Sequence, residues 1–183
     1  DVDYYIVNTL PDSCKIALEV AEKMGINAYI LTTYTEGESK DYGTFMGTLA
    51  KEIIKNHRPF KAPCFVISAG ETTTSIEDNH TIKGHGGPSQ EMTAAFALVA
   101  KDLKNTCLLS IDSEGTDGTT NVAGGITDGT SFDAAMKKGI DLRKALANHA
   151  TYEALSQMGD TVLTGNTGTN LCDLNVLYIG EQE

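Results

Sequence analysis

Short apolar runs of strand length alternate along this chain with stretches whose apolar residues recur every three or four positions, and that alternation admits few architectures. Tyr4-Tyr5-Ile6-Val7 reads as a strand. Pro11-Asp12-Ser13 then opens a helix with Ile16, Val20, Ala21 and Met24 on one face and Gly25 at its end. Ala28–Leu31 reads as a second strand, so strand, helix and strand follow at the spacing of a βαβ unit. A helix carrying Phe45, Leu49, Ile53 and Ile54 runs to about Asn56, and Cys64-Phe65-Val66-Ile67 forms a third, buried-type strand. Thr73–Gly84 reads as a hairpin turning at Glu77-Asp78-Asn79-His80, and Pro88 starts a helix to about Lys104 that buries Met92, Ala95, Phe96, Val99 and Leu103. Thr106–Ile111 is a fourth strand, and an irregular glycine-rich stretch follows to about Thr130. Helices are expected over Ser131–Lys138, Asp141–Asn148 and Thr151–Met158, with closing strands at Thr161–Leu163 and Leu174–Ile179. The sum is an α/β fold over residues 1–183: one mixed β-sheet flanked by helices, a single domain without internal repeat or linker.

Composition narrows the partners. The 183 residues are 40% hydrophobic and 21% charged, which suits one well-cored domain. A net charge of -11 repels nucleic-acid backbones and anionic membrane surfaces, so neither is expected as a partner. A small anion remains admissible, because local amides and helix N-termini bind anions inside an acidic protein. Cys14, Cys64, Cys107 and Cys172 lie far apart without a CxxC pair, as buried reduced thiols do. No apolar run reaches the length of a membrane span and no leader pattern opens the sequence, so the chain reads as cytoplasmic. It opens on Asp1 without a methionine, as a segment of a longer chain would.

Four polar, glycine-rich segments each follow a strand or precede a helix: Gly70-Glu71-Thr72-Thr73, Gly84-His85-Gly86-Gly87, Asp112 to Gly118, and Thr164 to Asn170. Open α/β sheets collect their ligands where such loops converge, outside the carboxyl ends of strands. Glycine permits close backbone approach, and threonine and asparagine add donors. The 164–170 loop is therefore either a cradle for a phosphate or carboxylate or a plain connection between two strands. Gly86-Gly87 precedes a helix N-terminus that would favour an anion, with Gln90 and Glu91 in its first turn, although simple helix capping accounts for the same pattern. Asp112, Glu114 and Asp117 form an oxygen-rich cluster suited to magnesium or to orienting a substrate hydroxyl, or a solvated acidic loop; the further acidic positions of an EF-hand are missing. The four histidines are scattered, and only His85, between glycines, falls in a ligand loop. Neither a P-loop nor a complete dinucleotide fingerprint is present.

In their order and spacing these segments resemble the MOFRL domain found at the C-terminus of glycerate 2-kinases, some of which carry the name hydroxypyruvate reductase. Gly70-Glu71-Thr72-Thr73 is similar to the family's GGETT, His85 to Glu91 to its GGRNQE helix start, Ser113 to Gly118 to TDGIDG, Ala123-Gly124-Gly125 to AGA, and Thr164 to Asp173 to TGPTGTNVND. The signature covers residues 64–180, and Glu36-Gly37-Glu38-Ser39 resembles a GEAR segment upstream. The resemblance implies ATP- and Mg2+-dependent phosphorylation of D-glycerate to 2-phosphoglycerate in a cleft between this lobe and an N-terminal kinase lobe that supplies a catalytic lysine and is absent from this sequence. It implies catalytic and metal-binding roles for Glu114 and Asp117. Substrate or nucleotide contacts are implied for Gly70, Glu71, Thr72, Thr73, Gly86, Gly87, Gln90, Thr164, Thr167, Gly168, Thr169 and Asn170. Glu114 keeps the carboxylate of a family aspartate, whereas Pro88 stands where the family commonly has an arginine, the natural stabiliser of charge in phosphoryl transfer. The chain alone is expected to be inactive. A non-catalytic ligand-binding or regulatory module and, less favoured, a hydroxypyruvate reductase are the alternatives, and self-association is expected if an interface with the other lobe stands open.

Overall fold

A computed structural model describes residues 2, 3, 5–76 and 84–182. In chain order they form α1 (Leu10–Lys23), β1 (Asn27–Thr35), α2 (Ser39–Asn56), β2 (Cys64–Gly70), α3 (Pro88–Val99), β3 (Thr106–Asp112), β4 (Gly124–Asp128), α4 (Ser131–Lys137), α5 (Leu142–Ala147), α6 (Thr151–Met158), β5 (Thr161–Val162) and β6 (Asp173–Ile179). The strands make one mixed sheet in the order β1-β2-β6-β3-β4-β5, with β1 and β2 parallel and every other pair antiparallel. The last strand in sequence is thus inserted at the sheet's centre, between β2 and β3.

The mixed α/β fold stands as read, with four local corrections. The βαβ unit is β1-α2-β2, and among the described residues no strand precedes α1. Tyr5, Ile6 and Val7 are exposed, because a run with strand propensity forms no strand without a ladder to join. The centre of the expected 73–84 hairpin lies outside the described residues, and its first residue, Thr73, bridges to Glu38 instead. The helix from Pro88 stops at Val99, and Asp102 takes a left-handed φ of 69° soon after. Inside the stretch read as irregular runs β4, whose Gly124 and Gly125 hid it from propensity rules. A side chain at Gly124 would meet the Ser110 carbonyl oxygen at 2.0 Å, so glycine is what lets β4 lie against β3.

Side-chain alternation sorts the sheet's two faces. Val66, Leu108, Leu177 and Ile179 point to Met46, Ile53, Met92 and Phe96 of α2 and α3, forming the main core. Ile67, Ala69, Leu174 and Val176 point the other way, to α1. Ala97 and Leu98 on the far side of α3 pack against Ala135, Leu142, Ala145 and Ala154 of the three short helices, so α3 is enclosed on all sides. Helices α2 and α3 approach closely because Gly43 and Gly47 face the contact; a β-carbon at Gly43 would come 2.1 Å from the Met92 carbonyl oxygen.

That geometry gives a test. Gly43→Ala improves helix propensity by about 1 kcal/mol but forces α2 away from α3, so a net loss of about 2 kcal/mol is expected. Urea unfolding measures it, and an unchanged or raised midpoint would show that the two backbones are not in close contact.

Candidate functional site

Along the face beneath α2 and α3, the three central strands change character in step. The buried layer of Val66, Leu177 and Leu108 is apolar. The next layer is Ser68, Asn175 and Ser110, all fully buried and in register. Ser110 Oγ donates to Asn175 Oδ1 at 2.6 Å, and the Tyr42 hydroxyl of α2 donates to Ser68 Oγ at 3.0 Å. The last layer is Gly70, Asp173 and Asp112, again in register. A hydrophobic core thus ends in carboxylates at the carboxyl ends of β2 and β3, where β6 begins.

Asp173 is 5% exposed, with Oδ2 buried and lacking any hydrogen-bond partner. Burial first, then the charges of Asp117 and Asp112, push its carboxyl up to about 7, opposed by the amide hydrogen bond from Thr72. Asp112 is also raised, by burial and by the charges of Glu114 and Glu71. Asp117 rises to about 6, chiefly through burial, although Gln90 and Ser89 donate to it.

Those donors decide what Asp117 does. Its Oδ1 accepts from the Ser89 amide at 3.1 Å, and its Oδ2 accepts from the Gln90 amide at 2.9 Å and from Gln90 Nε2 at 2.8 Å. Gln90 Nε2 also donates to Thr120 Oγ1 at 3.1 Å. Asp117 therefore caps α3 from inside, with both oxygens committed and 1% exposure, rather than facing a ligand. The same cap consumes the amides that α3 would offer an anion, since Pro88 has none and Ser89 and Gln90 give theirs to Asp117. Gly86 and Gly87 remain, their amides donating to no other described residue. Beside them lies a cavity of about 270 Å³ lined by Thr74, Gly86, Gly87, Pro88, Glu91 and His149.

Segments 112–118 and 164–172 clasp each other. Thr167 donates its hydroxyl to the Ser113 carbonyl and its amide to the Glu114 carbonyl at 3.2 Å. Asn170 Nδ2 donates to Glu114 Oε2 at 3.0 Å, Thr116 to Glu114 Oε1 at 3.2 Å, and the Leu171 amide to Ser113 Oγ at 2.6 Å. Gly168 and Thr169 turn the loop, their amides donating to Asn166 Oδ1 and Thr167 Oγ1, while Thr164 donates only to the neighbouring Gly165 carbonyl. Glu114 is half-buried, and its charge acts on Asp112.

Segment 70–73 links this centre to the sheet edge. Gly70 has φ +152°, and a side chain there would meet the Thr35 amide and carbonyl at 2.4 and 2.3 Å. The Glu71 amide donates to that carbonyl at 2.9 Å; Thr72 accepts from Ser39 Oγ at 3.0 Å, and the Thr73 amide donates to Gly37 at 2.8 Å.

The fold brings Gly70–Thr73, Asp112–Asp117 and Thr167–Asn170 near one another, and attaches Gln90 through Asp117. It takes His85 elsewhere, with Nδ1 2.8 Å from Glu153 Oε1 on α6. Asp173, Asn175 and Ser110 escaped the sequence reading, as did the contact of Glu91 Oε1 with His149 Nδ1 at 2.8 Å. An aspartate closing a polar loop just before the apolar strand Leu174–Ile179 was the available signal for Asp173.

An α/β domain whose polar loops meet at its strand ends has the open-sheet architecture in which ligands gather outside the carboxyl ends of strands. It belongs to the MOFRL family, whose model matches residues 64–173. The glycerate 2-kinase of Pyrococcus horikoshii is 40% identical over 98% of this chain, which covers 40% of that protein. A crystal structure of a Pyrococcus horikoshii protein superposes with a TM-score of 0.92 at 38% identity, covering 99% of this chain and 41% of the other. That of the glycerate kinase from Thermotoga maritima gives 0.91 at 33% identity, covering 97% and 42%. The chain thus spans about 40% of the length of the relatives it matches. Among the described residues no helix is long and apolar enough to cross a membrane.

Two substitutions test this site. Asp117→Ala leaves two amides and a side-chain amide of α3 unsatisfied, so a loss of about 2–4 kcal/mol in urea unfolding is expected. The carboxyl of Asp173 sits above its ordinary value, so its stabilising share is present below about pH 4 and lost as pH rises through 7. Asp173→Asn should flatten that decline and stabilise the protein at pH 8 by on the order of 3 kcal/mol. Thermal unfolding from pH 4 to 8 reads it, and parallel profiles for the two proteins would remove Asp173 as the cause.

Proposed function

We propose that the chain is the C-terminal lobe of a cytoplasmic glycerate 2-kinase-type enzyme that transfers a phosphoryl group from ATP to the 2-hydroxyl of D-glycerate, in a cleft completed by an N-terminal lobe. The observation that carries this reading is the layer of carboxylates at the strand ends, roofed by the clasped 112–118 and 164–172 loops, in a MOFRL domain.

Magnesium fits these residues. Asp112, Asp117 and Asp173 repel one another and Asp173 Oδ2 lacks a partner, so a divalent cation nearby would relieve both. Among the described residues no three His, Cys, Asp or Glu side chains stand grouped for a metal. Magnesium takes one or two carboxylates and completes its shell with phosphate oxygens and water. Glu114, oriented by Asn170 and Thr116, and the half-buried Asp112 would hold it; Asp117 serves by anchoring the 112–120 turn to α3. When bound, the ion neutralises charge on the transferring phosphoryl group.

This chain's own part is to bind and position, which is most of what phosphoryl transfer asks of a protein. Asp112 orients the attacking hydroxyl. The amides of Gly86 and Gly87, with the Thr169 hydroxyl, hold carboxylate or phosphate oxygens. The cation that Pro88 does not supply comes from the N-terminal lobe.

Phosphorylation of D-glycerate with magnesium-ATP is measured for the chain alone and mixed with a separately expressed N-terminal lobe. No turnover is expected alone and turnover is expected in the mixture, with Glu114→Gln lowering kcat about 10²- to 10³-fold while the fold persists. A silent mixture of associating lobes would overturn the reading in favour of a non-catalytic module, and full activity in Glu114→Gln would remove the role of that residue.

A further inference from the structure

A second cavity, of about 530 Å³, opens at the carboxyl ends of β1 and β2. Its volume falls within the range of about 300–1,000 Å³ typical of small-molecule sites. Parallel strand ends are where open sheets place ligands.

Its lining specifies the chemistry of the occupant. Tyr34 is 83% exposed, a flat aromatic surface covered by no described residue. Glu36, Glu71, Thr33 and Thr35 also line it. Thr35 is only 2% exposed, and its buried Oγ1 has no hydrogen-bond partner. Cys172 Sγ lies 3.8 Å from Glu71 Oε2 and holds that carboxylate beside the cavity. Among the described residues that line it there is no Lys, Arg or His.

Two carboxylates without a cation, in a chain of net charge -11, turn away a phosphate or a carboxylate. The cavity therefore takes neither glycerate nor the phosphate end of a donor. It suits an uncharged molecule with a flat ring to stack on an aromatic and hydroxyls to donate to carboxylates. A nucleoside has both: stacking on tyrosine tolerates any base, and a carboxylate accepting from ribose hydroxyls is the device that dinucleotide folds use.

We propose that this cavity is the nucleoside subsite, with the base on Tyr34 and the ribose hydroxyls on Glu71 and Glu36. The assignment rests on the phosphotransferase reading above, and it places the donor's phosphates beyond Gly70, toward Glu114 and the 164–170 loop. The carboxylates that repel phosphate from the cavity then set the direction in which the nucleotide lies.

Calorimetric titration of the chain with adenosine, 2′,3′-dideoxyadenosine and inorganic tripolyphosphate tests it. Adenosine is expected to bind undisplaced by tripolyphosphate. Tyr34→Ala and Glu71→Gln should each weaken it about tenfold, and Tyr34→Phe should restore the lost affinity. Glu71→Gln should cost the dideoxy analogue nothing further. No adenosine binding, or binding indifferent to both substitutions, would overturn the subsite. The mixed-lobe assay separates this failure from that of the kinase reading. Wild-type turnover with an unchanged KM for ATP in Tyr34→Ala would overturn the subsite and leave the kinase standing. Adenosine binding with the expected dependence, but no turnover in associated lobes, would keep the subsite and remove the kinase.

Discussion

The carboxylate of Asp117 on the N-terminus of α3 is the contact on which the functional end of this domain depends. It satisfies the amides of Ser89 and Gln90 and the side chain of Gln90 at once, and so fixes the turn after β3 to the most enclosed helix in the fold. That turn in turn holds Thr167, Asn170 and Leu171 through Ser113 and Glu114. A loop of small polar residues has little buried surface of its own to hold one conformation. Here its order is borrowed from the core through one buried acid.

The cap also sets an electrostatic condition. Asp117 must be buried to reach α3, and Asp173 and Asp112 lie at the ends of adjacent strands in register, so three carboxylates share a small volume with little solvent. Their raised proton affinities come first from burial and then from the charges of neighbouring carboxylates. Helix packing allows it. The close α2–α3 contact at Gly43 and Gly47, and the apolar layer of Val66, Leu108 and Leu177, supply the cohesion that the acid layer lacks.

Much of this was legible in residue order. Amphipathic periods gave the helices from Ser39, Ser131 and Thr151, and apolar runs gave β2, β3 and β6, because core-facing side chains leave their period in the sequence. Glycine-rich segments gave the loops. What misled were residues whose role depends on a neighbour distant in sequence. Tyr5–Val7 has strand propensity and no partner. Gly124–Gly125 has none and forms a strand, because close approach to Ser110 needs glycine. Asp117 read as a ligand, and its carboxylate meets the α3 amides, which nothing near it in sequence announces.

The sequence by itself determined the α/β class, the main helices, the positions of the loops and, through the motif order, the MOFRL family, all of which are written in local pattern. Only the tertiary structure decided that β6 enters between β2 and β3, and hence that Asp173 stands between Gly70 and Asp112. Pairing across a hundred residues follows from which register buries the apolar face and satisfies the ladder, a global condition that no window of sequence contains.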